Sequence, residues 1–214
     1  MEIHFFTVGP FQEHTYILSD PDTASAIIVD PGGFENEKVL AYLKERDLKV
    51  KSIYSTHGHI DHIAGAYDLQ KTLEAPYYLN KNDEYLLENL ETICQYFGFP
   101  NVTRPTVAGT IQAGTDISFG AQTLEVIETP GHTPGGVCFY TPGDVFVGDT
   151  LFYGSVGRTD LPGGNTETLI SAIQSKLLIL PGQTRVHCGH GPKTTIQREK
   201  DRNPFLAKGH RQYF

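Results

Sequence analysis

The run Thr56-His57-Gly58-His59-Ile60-Asp61-His62 puts three imidazoles and a carboxylate within seven positions, four side chains that bind divalent metal ions well. His57 and His59, two apart on an extended backbone, point the same way and can share one ion. Asp61 and His62 are displaced along the chain, at the start of an expected helix, and can serve a second ion close by. The plainer reading, a polar loop whose imidazoles cap a helix, does not account for so many ligand groups in one place.

Three further residues share this setting, each directly after an expected strand. His132 lies in Thr129-Pro130-Gly131-His132-Thr133-Pro134-Gly135-Gly136, Asp149 in Gly148-Asp149-Thr150, and His190 in Cys188-Gly189-His190-Gly191-Pro192. Glycine or proline beside each lets the chain turn sharply and bring the side chain to one rim of the sheets. Singly, a loop histidine is a solvated group and an aspartate before threonine is a helix cap. Together with the first run they complete a ligand set. His57, His59 and His132 offer one ion three nitrogens; Asp61, His62 and His190 offer another two nitrogens and an oxygen; Asp149 can bridge the two with its carboxylate oxygens. Each ion keeps room for a shared water, the open position that separates a catalytic centre from a structural one. A water held there has a pKa of about 7, which points to hydrolysis, with Asp61 and Asp149 as the catalytic carboxylates. Two divalent ions are expected, zinc first, with iron and manganese also suited to mixed histidine and carboxylate ligands.

The elements that must position these groups are short. Ile3 to Val8, Thr15 to Leu18 and Ala26 to Val29 read as a meander of strands. The last of them ends at the turn Asp30-Pro31-Gly32-Gly33. Glu35 to Arg46 follows as an amphipathic helix, Val50 to Ser55 as the strand before the metal loop, and Ile63 to Leu73 as the helix after it. Tyr77 to Leu79 reads as a strand and Asp83 to Cys94 as a second amphipathic helix. The second half repeats the logic with strands at Ile117 to Phe119, Gln122 to Ile127, Val137 to Tyr140, Val145 to Val147 and Arg185 to His187, and a helix from Thr166 to Leu178. Strands followed by helices in each half predict an α+β fold, a four-layer αβ/βα sandwich of two sheets with helices outside, as one domain over residues 1–214.

Composition narrows the partners. Lys+Arg 17 against Asp+Glu 25 gives a net charge of -8, the wrong sign for a nucleic-acid binder. The start Met1-Glu2-Ile3-His4-Phe5-Phe6 has neither the basic residues nor the apolar run of a secretory signal, and no stretch is long and apolar enough to span a bilayer. Cys94, Cys138 and Cys188 form no CxxC pair and are odd in number, as suits a reducing compartment. A cytoplasmic enzyme with a small-molecule substrate is expected, and Cys94 and Cys138 read as core residues.

In the order THGHIDH, GHTPGG, GDT and CGHGP, these segments resemble the metallo-β-lactamase superfamily over nearly the whole chain, with Asp30 at a position where the family keeps an aspartate that supports the metal loop. The resemblance implies the same sandwich and the same dinuclear centre: His57, His59, His132 and Asp149 for one ion, and Asp61, His62, His190 and Asp149 for the other. A bridging Asp149 is unlike the antibiotic-degrading lactamases. The segments Gly148 to Phe152, Gly157 to Asp160 and Asn203 to Leu206 are similar to the short bacterial glyoxalase II-like hydrolases, which act on thioesters such as S-lactoylglutathione. That resemblance implies a metal-bridging hydroxide attacking the thioester carbonyl, an oxyanion stabilised by metal, and a thiolate leaving group. It also implies substrate contacts from Arg158, to a carboxylate of a glutathione-like thiol, and from Tyr153; as a plain surface residue, Arg158 would simply form an ion pair. The chain departs from the pattern twice. The C-terminal helical domain of full-length glyoxalase II enzymes is missing after His190, and Gly136 stands where many relatives have a histidine.

Two other readings compete. A mononuclear iron persulfide dioxygenase of the same superfamily would need only His57, His132 and Asp149, and shares a Gly-Arg-Thr-Asp stretch like Gly157 to Asp160, but Val156 stands where its usual cysteine would be. A non-catalytic metal-binding module would predict a substituted ligand, and all seven are present. Cys188 reads as a small buried residue rather than a nucleophile, and His14 and His187 as structural or solvated. His4 and His210 carry no signal.

Overall fold

The structure, a computed structural model, describes residues 1–206; His210 and the remainder of the expected 1–214 domain lie outside the described residues. Strands β1 (Glu2–Val8), β2 (Glu13–Ser19), β3 (Ser25–Val29), β4 (Lys49–Tyr54), β5 (Tyr77–Leu79) and β6 (Val107–Thr110) lie side by side in chain order. Pairing is antiparallel from β1 to β3 and parallel from β3 to β6. The second sheet holds β7 (Asp116–Phe119), β8 (Gln122–Glu128), β9 (Val137–Thr141) and β10 (Asp144–Gly148). After a hairpin of β11 (Leu151–Phe152) and β12 (Ser155–Val156), β13 (Arg185–Cys188) joins it parallel to β10, with β14 (Thr194–Thr195) at the edge.

Seven short α-helices accompany the sheets: α1 (Glu37–Glu45), α2 (Ile60–Ile63), α3 (Ala66–Leu73), α4 (Glu84–Glu88), α5 (Leu90–Phe97), α6 (Thr166–Ala172) and α7 (Ile196–Arg202), counted among the described residues. Side-chain alternation along the strands decides the layers. On β3, Ile27 and Val29 pack with Leu124, Val126, Phe139 and Phe146 of the second sheet, while Ala26 and Ile28 pack with Val39, Leu43 and Leu69 of the helices. On β10, Phe146 joins the interior between the sheets, whereas Val145 and Val147 turn outward to Leu169, Ile173 and Ile196. Three apolar layers between four structural ones make the expected αβ/βα sandwich. No helix among the described residues is long and apolar enough to cross a membrane.

Two expected helices are interrupted. The one expected over Ile63 to Leu73 begins earlier, as α2, and restarts as α3 after Gly65. The one expected over Asp83 to Cys94 is split at Asn89, whose side-chain amide donates to the Tyr85 carbonyl at 2.7 Å, while its backbone N–H turns to Leu86 instead. By contrast, the Thr166 to Leu178 helix holds its extent, with α6 continuing as a π-helical turn over Ile173–Leu177.

Candidate metal centre

The metal loop is fixed from behind by Asp30, which follows β3 in the left-handed region at φ 53°, a conformation aspartate tolerates better than most side chains. Its Oδ1 accepts the Thr56 N–H at 2.6 Å and its Oδ2 the Thr56 hydroxyl at 2.9 Å, tying the loop after β4 to the end of β3. With its proton given to Asp30, Thr56 Oγ1 can only accept from His57 Nδ1, 3.1 Å away. His57 Nε2 therefore carries a lone pair. The same logic sets two more rings: His132 Nδ1 donates to the Arg158 carbonyl at 2.7 Å, and His190 Nδ1 to the Phe11 carbonyl at 3.0 Å. An outer nitrogen held by a carbonyl or hydroxyl, with a lone pair left on the inner one, is the usual arrangement of a metal-binding histidine.

The inner atoms converge. His59 Nδ1 lies 2.9 Å from His132 Nε2. Asp149 Oδ1 lies 3.3 Å from His62 Nε2 and 3.5 Å from His190 Nε2, while its Oδ2 faces His132 Nε2 at 3.7 Å. Asp61 Oδ2 is 3.3 Å from His190 Nε2. Two trios, His57-His59-His132 and Asp61-His62-His190, each bring one ligand atom per residue within 4.8 Å of one another, and His57-His62-Asp149 joins them. The structure thus gathers all seven residues singled out in the sequence. His57 Nε2, His62 Nε2 and Asp149 Oδ1 are buried without a hydrogen-bond partner. A buried polar atom left this way costs about 1–3 kcal/mol, so several aimed at one place fit divalent ions as their partners.

Close approach of the strands makes this possible. At Gly148, φ 49°, a Cβ would lie 2.1 Å from Thr56 Oγ1; at Gly189 it would lie 2.4 Å from Asp149 Oδ1, inside the cluster. These glycines explain why the GDT and CGHGP segments read as they do.

Burial, then the neighbouring His62 and His132, holds the His57 imidazole well below its ordinary pKa, and burial and His132 push His59 down to about 4. Both rings are neutral near pH 7, the form that binds metal. Burial also opposes charge on His62, but Asp30 and Asp149 outweigh it and raise its pKa well above the ordinary value. For Asp149 burial favours the acid, yet His62 overrides it and the pKa falls.

Two carboxylates of the centre carried no signal in the sequence. Asp83 is fully buried and accepts the Gly58 N–H at 2.9 Å, the Thr133 hydroxyl at 2.7 Å and the Gly135 N–H at 2.6 Å, binding the first metal loop to the His132 loop. In the sequence it stands only as the first residue of the expected helix Asp83 to Cys94; it occupies the cap position of α4, but its side chain makes no cap bond. Glu13 is buried behind His62, with Oε1 3.9 Å from His62 Nδ1, and burial raises its pKa well above the carboxylate range.

Cys94, Cys138 and Cys188 are buried thiols, and burial pushes Cys138 up to about 11 and Cys188 up to about 12, too high for a nucleophile. His14 bonds the Gly191 carbonyl at 2.9 Å and His187 bonds Asp144 at 2.7 Å, while His4 stacks on Tyr42. The Arg158 side chain is exposed and pairs with Asp160 through two bonds of 2.7 Å. The Tyr153 ring, also exposed, lies under the Arg198 guanidinium, 3.4 Å from its carbon. Gly136 lines a cavity of about 120 Å³ with Asn80, Glu128 and Lys176, and a Cβ there would sit 2.9 Å from the Thr129 carbonyl oxygen.

The family profile described as "Metallo-beta-lactamase superfamily" matches residues 8–190. A Bacillus subtilis protein named "Probable metallo-hydrolase YqgX" is 40% identical over 93% of this chain and 94% of its own. The Haemophilus influenzae "Hydroxyacylglutathione hydrolase GloC" is 39% identical over 96% and 98%. Among solved structures, the BLEG-1 B3 metallo-beta-lactamase superposes with a TM-score of 0.88 at 37% identity, covering 96% of this chain and 99% of that one. TTHA1623 in a di-iron-bound form superposes with a TM-score of 0.85 at 38% identity, covering 95% and 100%. The chain belongs to the metallo-β-lactamase superfamily. Within it, the sandwich fold and the histidine and aspartate cluster are those of a metallo-hydrolase.

Proposed function

We propose that the protein is a dinuclear thioester hydrolase of the glyoxalase II type, acting on a hydroxyacylglutathione such as S-lactoylglutathione. The observation that carries this reading is the two-sided contact of Asp149, Oδ1 towards His62 and His190 and Oδ2 towards His132, which suits a carboxylate shared by two ions. In this reading His57, His59 and His132 hold one ion and Asp61, His62 and His190 the other. When bound, such a pair lowers the pKa of water to about 7 and polarises a carbonyl oxygen. The chain's own groups do the rest. Asp61 and Asp149, partly open to solvent, orient the attacking water and accept its hydrogen bond. Asp30, Thr56 and the Phe11 and Arg158 carbonyls keep the imidazoles in the ligating tautomer. Hydrolysis adds water across the C–S bond, giving a carboxylate, a thiol and a proton.

The 39% identity to a protein named for hydroxyacylglutathione hydrolysis supports the substrate class. The mononuclear iron dioxygenase reading leaves Asp61 and His190 without a task, and their convergence with His62 weighs against it. Zinc remains the first candidate for the ions, and the di-iron form of TTHA1623 supports iron as another. The test is hydrolysis of S-lactoylglutathione by metal-replete protein, with nitrocefin as a β-lactam control. Turnover of the thioester that disappears on chelation is expected; no thioester turnover, or β-lactam turnover in its place, would overturn the reading.

Arg158 is proposed to take a carboxylate of the thiol, in exchange for or alongside Asp160. Arg158→Ala is expected to raise KM about 3–10-fold with little change in kcat, the mark of lost uniform binding. An unchanged KM would remove Arg158 from the pocket. Tyr153, in the turn of the β11–β12 hairpin with its ring under the Arg198 guanidinium, is the second proposed contact.

A further inference from the structure

Exposed aromatic side chains are concentrated beside the centre. Phe11, 42% exposed, is the residue whose carbonyl holds His190, and its ring meets Phe97 edge-on at 5.5 Å and Phe99 at 5.2 Å. Phe97, 40% exposed, stacks on Phe99 at 5.6 Å, and Phe99 leans on Phe34 at 5.1 Å. Tyr96, 82% exposed, meets Phe97 edge-on and lies within electrostatic reach of the Arg158 guanidinium. These residues sit on the β1–β2 turn and at the end of α5, the helix that packs on α2 and therefore on the segment carrying Asp61 and His62. The patch is continuous with the metal centre through the Phe11 backbone. It runs from the His190 pole towards Arg158 and is braced from behind by Phe34 and Phe99. Leaving such rings in water is unfavourable, and a contiguous apolar patch at the edge of a reactive centre marks a binding surface.

We infer that Phe11 and Phe97 form an apolar wall that binds the acyl group of the substrate, so that thioesters with an apolar or aromatic acyl group are preferred over those with a small hydroxyacyl group. This rests on the thioesterase reading for its orientation: with the thiol's carboxylate at Arg158, the acyl group on the sulfur falls at the Phe11 and Phe97 end. Edge-to-face and stacked contacts from these rings favour a planar or branched apolar group over lactoyl, whose hydroxyl gains nothing there.

The test uses thioethers, which place a group on glutathione sulfur and cannot be hydrolysed. Binding of S-benzylglutathione and S-methylglutathione to the metal-loaded protein is measured by calorimetry, for the native sequence and for Phe11→Ala and Phe97→Ala, with circular dichroism to check the fold. S-benzylglutathione is expected to bind about tenfold or more tightly than S-methylglutathione, and either substitution should erase most of that preference. Equal binding of the two, or a preference that survives both substitutions, would overturn the wall. Failure of both thioethers to bind would overturn the wall and the glutathione reading together. Benzyl selectivity in a protein that hydrolyses neither S-lactoylglutathione nor S-benzoylglutathione would overturn the thioesterase reading and the acyl assignment that rests on it, whereas hydrolysis of S-benzoylglutathione alone would support the wall and remove only lactoyl as the substrate.

Discussion

Asp149→Ala is expected to reduce tightly bound metal from two equivalents to one or none and to lower thioester hydrolysis at least about 10³-fold. The reason is positional: Asp149 is, among the described residues, the carboxylate whose two oxygens face both ligand trios. Removing it leaves His62 Nε2 buried with no anionic partner on that side and takes away a negative charge that, on the dinuclear reading, would offset the two ions. Activation of water and polarisation of the carbonyl supply several kcal/mol in such centres, and each 1.36 kcal/mol is about a factor of ten in rate. Asp149→Asn, which keeps an oxygen but not the charge, should fall between. Metal analysis of dialysed protein alongside the rate checks this; full turnover in Asp149→Ala would remove the bridging role.

Asp83→Ala should have the second-largest effect, through a residue that touches no ligand atom. Its carboxylate receives three hydrogen bonds, from Gly58, Thr133 and Gly135, and so joins the two loops that carry His57, His59 and His132. Losing such an outer partner typically weakens metal binding about 10–100-fold. Stability should also fall, since buried donors left without an acceptor cost about 1–3 kcal/mol each, enough for three of them to lower Tm by about 6 °C or more in a chain of this size. Competition with a chromogenic chelator reads the first effect and thermal unfolding of the metal-free protein the second. Native metal affinity in Asp83→Ala would show that the loops hold their geometry without it.

Much of the centre was legible because its chemistry is local. THGHIDH puts four ligand residues in one loop, and His132, Asp149 and His190 each stand beside a glycine at a strand end, which is how a side chain is brought to a rim. The strands were legible because β2 and β3 are buried on both faces and their runs of apolar residues are dense. What escaped notice depends on partners distant in sequence. Asp83 is simply the first residue of an expected helix until the chain folds Gly58, 25 positions earlier, and Gly135, 52 positions later, onto it. Glu13 lies in a strand and shows its place only when His62 packs over it. β6, with Gly109 in its middle, has little strand signal and exists because β5 offers it an edge. α7 is polar along most of its length; Ile196 and the buried Glu199 are all it presents to the core, and the Thr195 cap bonding Arg198 N–H was its one local sign. Arg158 pairs with Asp160 at the surface, and its backbone carbonyl, which no sequence rule would single out, orients His132.

The most direct measurement is thioester hydrolysis as a function of metal added to the stripped protein, with bound metal counted at each point. The dinuclear account predicts that S-lactoylglutathione turnover rises steeply as the second equivalent binds and levels off at two. Full turnover at one equivalent, or a protein that binds one iron and consumes oxygen with a persulfide while leaving the thioester intact, would contradict it.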